Sequence, residues 1–202
     1  MPNTPASRDI TGNPEHSSLS RRMVAKSMAL GALIFTVDGA EIALSPSEVH
    51  AAAVPLQTLT TTEAATLEAI SEVLLPGAAK GGIANYIDHG LSVSPGECLL
   101  NIRLTDGLSA PYAPVYQKAL AAIDATASKG YGAPFASLAS DKQTAFVKAM
   151  ATTQPEGWAG PPAGGVYRML RGDALDVIYA VPEGYAAIGV PYMPHIFPDP
   201  KW

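Results

Sequence analysis

The chain has 202 residues, 48% of them hydrophobic and 15% charged, so it can bury one modest core; its net charge is −5. A mild acidic balance with no run of like charge disfavours an electrostatic nucleic-acid surface, and no nucleic-acid partner is expected. Cys98 is the only cysteine, which excludes an intrachain disulfide framework and a C-x-x-C-H haem attachment; a thiol of this kind is expected to be buried and inert.

Residues 1–19 are polar and read as a disordered leader. Ser20-Arg21-Arg22-Met23-Val24-Ala25-Lys26 follows, then an apolar run from Met28 to Val37, and small residues at Ala51-Ala52-Ala53. Paired arginines, a short hydrophobic segment and an A-x-A-like site form the layout of a twin-arginine export signal, with Ser20, Arg21, Arg22 and Lys26 as its marker residues. A membrane-spanning helix needs about 20 apolar residues, and this run stops at Asp38, so a permanent anchor is the weaker reading. Because Asp38 and Glu41 follow the run at once, cleavage after Ala53 and retention of the signal both stay open.

The rest divides into a helical domain over 54–180 and a proline- and aromatic-rich tail over 181–202. Thr60-Thr61-Thr62-Glu63 fits a capping box, and Leu67, Ile70 and Leu74 follow at helical spacing up to Pro76-Gly77, with Glu68 and Glu72 free for the wet side. A second, shorter helix is expected from Ile83 to about Gly90, and a third near Cys98 to Ile102. Ser109-Ala110-Pro111 sets up a longer helix ending at Gly130, with Tyr112, Val115, Tyr116, Ala119, Leu120 and Ile123 as its apolar stripe. Ser140-Asp141-Lys142-Gln143 reads as another capping box, and Phe135 and Leu138 are placed to pack back on the helix behind it. A last helix runs from Val166 to Tyr179, with a weak point at Gly172. No alternating strand pattern and no internal repeat stand out, so the fold class is all-α.

The tail contains Tyr185, Pro191, Tyr192, His195, Phe197 and Trp202. Its proline density predicts neither regular helix nor central strand. An apolar, aromatic segment must lie on something, either its own helical core or a partner. Those six residues are the candidate docking residues.

No chemistry stands out elsewhere. The glycine-rich stretches at 77–82 and 160–165 lack a preceding strand and the dinucleotide spacing, and read as turns. The histidines are scattered, so no metal ligand set and no catalytic or cofactor-binding residue is assigned. Asp88-His89 reads as a surface helix end rather than an acid–base pair. Asp173, Asp176 and Glu183 form a loose acidic group, for which ion pairs with Arg168 and Arg171 are the simplest account.

Three blocks carry a resemblance. Residues 59–88, with Glu63, Leu67, Ile70, Leu75-Pro76-Gly77, Gly81 and Tyr86-Ile87-Asp88, resemble the first block of the gluconate 2-dehydrogenase subunit 3 family. Phe135-Ala136-Ser137-Leu138 with Lys142-Gln143 is similar to its middle block, and Tyr167-Arg168-Met169-Leu170-Arg171 with Ile188-Gly189-Val190-Pro191-Tyr192 to its last. The stretch 176–184 departs from the glycine- and aromatic-rich pattern of many members and sets the chain in a subgroup. The resemblance implies a non-catalytic small subunit of a bacterial sugar or sugar-acid dehydrogenase complex. FAD and the active site would lie on a large GMC-type flavoprotein subunit, and some such complexes add a multihaem cytochrome c subunit carrying haem c. The small subunit would assist folding of its partner and carry it through the twin-arginine export machinery. The complex would then be periplasmic and could sit at the outer face of the inner membrane. Two other readings stand beside this one: a stand-alone exported α-helical binding module, and, with least support, an enzyme using His195 and the acids near Asp173.

Overall fold

The computed structural model describes residues 33–37, 40–105 and 107–191. Among them the architecture is all-α, with seven α-helices, two 3-10 turns and one two-stranded hairpin at the N-terminal side. The hairpin corrects the expectation of no strand. Strand β1 (Leu33–Val37) runs antiparallel to β2 (Ala40–Leu44), with Leu33 opposite Leu44 and Val37 opposite Ala40. Ile34, Phe35, Thr36 and Val37 are strand formers, and Asp38-Gly39 between the strands in sequence is a strong hairpin signal. Both are hidden in a simple hydropathy reading, where this stretch merges into the apolar run that begins at Met28.

Helix α1 (Pro46–Ala51) follows. Ser45 and Glu48 form a capping box, with Glu48 N donating to Ser45 Oγ at 3.3 Å and Ser45 N to Glu48 Oε2 at 2.8 Å. Val49 is fully buried, which contributes about 1.5–3 kcal/mol for a valine side chain. Helical packing therefore begins at Pro46, ahead of residue 54.

Helix α2 (Thr61–Leu74) is the hub, packing against the next four helices in the chain: α3 (Ile83–Ser92), α4 (Ala113–Tyr131), α5 (Ser140–Thr152) and α6 (Ala163–Tyr179). The Thr60–Glu63 capping box forms as expected, and Leu67 and Ile70 are buried. Glu72 is not simply solvated: it accepts from the backbone of Gly77 at 2.8 Å and Ala79 at 3.2 Å, fixing the turn into α3. The segment expected as a third helix is a 3-10 turn (Asn101–Leu104). Pro114 sits in the first turn of α4, and the helix stops at Gly132 (φ +82°) rather than Gly130, because only the later glycine takes the left-handed conformation.

The second expected capping box does not form. Ala139 is the N-cap of α5, and Ser140 is already inside the helix. Gln143 instead donates from Nε2 to the carbonyl of Phe135 at 3.0 Å, tying α5 to the preceding 3-10 turn (Phe135–Ser137). Phe135 does pack back on α5, meeting Phe146 edge-on at 5.3 Å. Helix α6 starts three residues earlier than expected and passes Gly172 unbroken. Helix α7 (Pro182–Ala187) corrects the expectation that prolines exclude a helix in the tail: Pro182 lies in the first turn, where its missing N–H costs nothing.

Candidate docking segments and the buried carboxylates behind them

On α6, Asp173 and Asp176 are three residues apart and so share a side of the helix. Arg168 and Arg171 are exposed, whereas Asp173 is fully buried. The expected ion pairs are thus replaced by inward partners. Asp173 Oδ1 accepts from Asn101 N at 3.0 Å and from Asn101 Nδ2 at 3.3 Å, and Asp173 Oδ2 accepts from Tyr116 Oη at 2.6 Å. Asn101 Nδ2 also donates to Asp176 Oδ2 at 2.7 Å. Burial raises the Asp173 pKa to about 6, against the donors from Tyr116 and Asn101, while the neighbouring Asp176 charge raises it further. Burial likewise raises Asp176, and it pushes the Tyr116 hydroxyl well above its ordinary range, helped by Asp173.

The effect of this cluster is positional. It clamps the Asn101–Leu104 turn onto the middle of α6, where Gly172 leaves room: a Cβ there would stand 3.1 Å from the Asn101 side chain. Tyr86 Oη adds a bond to the carbonyl of Leu99 at 3.3 Å. The clamped segment presents Leu99 at 51% and Leu104 at 73% exposure. These outward apolar side chains make the segment a candidate docking surface. Sequence reasoning missed Asn101, Tyr116, Leu99 and Leu104, because exposure of a leucine depends on tertiary placement rather than on local pattern.

Asp88 is buried and caps a loop. Its carboxylate accepts from the backbone nitrogens of Gln57, Thr58 and Leu59, each at 2.8 Å. His89 beside it is half-buried, and burial lowers its pKa against the opposing pull of Asp88 and Glu97. Cys98 is buried, as expected of a structural thiol. It lines an apolar cavity of about 270 Å³ with Leu91, Val93, Pro111 and Tyr112.

The tail divides. Gly184 in α7 lies against the end of α6, where a Cβ would come within 2.2 Å of the Ile178 carbonyl oxygen, so this part rests on its own domain. Tyr185 is half-buried; Ile188 (55%), Val190 (45%) and Pro191 are exposed. Tyr192, His195, Phe197 and Trp202 lie outside the described residues, as do Ser20, Arg21, Arg22 and Lys26. Among the described residues no group of three or more His, Cys, Asp or Glu could hold a metal ion, and no helix is long and apolar enough to cross a membrane.

The sequence profile described as gluconate 2-dehydrogenase subunit 3 matches residues 61–198, from the first turn of α2 into the tail. The chain belongs to the gluconate 2-dehydrogenase subunit 3 family. The family match spans both the clamped loop and the exposed residues 188–191. No curated protein and no solved structure matches the chain. The family's name is that of one subunit of a gluconate 2-dehydrogenase complex.

Proposed function

We propose that this chain is the non-catalytic small subunit of an exported FAD-dependent sugar or sugar-acid dehydrogenase complex. Its large subunit is a GMC-type flavoprotein that holds FAD and the active site, and a cytochrome carrying haem c is the third subunit where the complex has one. The small subunit acts as folding partner and as twin-arginine escort, and the assembled complex works in the periplasm. Family membership over residues 61–198 carries this reading. Three features support it: the Ser20-Arg21-Arg22 and Lys26 pattern, the exposed Leu99 and Leu104 on a clamped loop, and the exposed Ile188 and Val190 at the head of the tail. Replacing Arg21 and Arg22 with lysine tests the escort role. The flavoprotein should then stay in the cytoplasm, and its unimpaired export would sink that role.

A second reading, a stand-alone exported binding module, is favoured by one observation: Gly184 seats the start of the tail on α6. It requires a monodisperse chain without flavin when isolated from its own cell.

A further inference from the structure

Helix α1 lies before the 61–198 family match, so nothing about it follows from the family. It carries the end of the candidate export segment, and it is built into the domain. Val49 is fully buried among the core residues, and Pro46 is buried with it. Gly82, with φ +83°, lies so close under α1 that a Cβ there would meet the Pro46 carbonyl oxygen at 2.1 Å and Ser47 N at 2.9 Å. His50 Nδ1 stands 3.6 Å from Glu68 of α2. The end of α1 is fastened by Ala52 N to the Glu48 carbonyl at 2.9 Å, Ala53 N to His50 at 3.0 Å and Val54 N to Val49 at 3.2 Å.

The small residues Ala51, Ala52 and Ala53 therefore stand in the last turn of a packed helix and its cap. A peptidase that reads small residues takes its substrate extended, so it cannot use this site while α1 is formed. Cutting there would strip Val49 from the core and bare the backbone of Gly82. We infer that residues 45–53 are a permanent part of the folded domain, and that the exported chain begins at or before Ser45. The second half of the inference rests on the export reading; the first does not.

The test recovers the full chain from the periplasm of its host and determines its intact mass and first residues. A start at or before Ser45 is expected, and a start at Val54 or anywhere inside α1 overturns the inference. Recovery only from the cytoplasm counts against the export reading instead. Amide hydrogen exchange on the purified chain then decides the place of α1. The amides of Val49, Ala52 and Val54 should be slowed at least about 100-fold, as expected of a packed helix. Exchange at the free-peptide rate would overturn the inference.

Discussion

Tyr116 on α4 donates its hydroxyl to Asp173 on α6 at 2.6 Å, and both side chains are fully buried. The bond joins two helices far apart in sequence, and the burial of Asp173 makes the clamp on the Asn101 turn sensitive to protons. The folded-state pKa of Asp173, about 6, lies above the unfolded value near 3.9, so the folded chain holds the proton more tightly. The stability this gives is fully present below the unfolded pKa and is lost as pH rises through 6. Between pH 7 and pH 5 the wild type should gain about 1 kcal/mol relative to Asp173→Asn, which cannot titrate. Urea unfolding of both proteins at the two pH values checks this; a constant difference would contradict it.

Asp88 should be costly to remove. Asp88→Ala leaves three backbone N–H groups without their acceptor, and the loss expected is about 3 kcal/mol or more. Asp88→Asn keeps one oxygen acceptor and should lose less. Equal unfolding midpoints for wild type and Asp88→Ala would refute the capping role.

How much of this was legible in sequence differs by element. Helices α2 and α4 announce themselves through Thr60–Glu63 and through the Tyr116, Leu120, Ile123 stripe, because their signals are local. The hairpin was hidden because Leu33 to Val37 is apolar on every residue but Thr36, which erases the alternation that marks a strand. Gln143 reads as a capping partner by spacing alone, yet its side-chain amide donates to the carbonyl of Phe135, which the N–H of Leu138 also reaches. Spacing alone pairs Asp173 with Arg168 and Arg171, which are exposed, since sequence spacing does not say which side of α6 faces the core. The candidate docking residues of the tail were legible as composition, and only their first members have a described position.

Gly82→Ala should cost at least about 2 kcal/mol, from the left-handed backbone and the missing space under Pro46. Its unfolding midpoint in urea is the readout. A neutral substitution would mean that α1 does not sit where the structure places it.

Ile188→Asp with Val190→Asp should leave unfolding within about 0.5 kcal/mol of wild type, because both side chains are exposed. The same pair should weaken capture of the flavoprotein at least about tenfold if the head of the tail docks there. Capture at full strength would remove this segment from the docking surface.

The central claim is met most directly by immunoprecipitating the untagged chain from its native host and recording the visible absorption of what comes with it. The account predicts an oxidised-flavin spectrum and a large oxidoreductase subunit beside this chain. A colourless, solitary chain would contradict it.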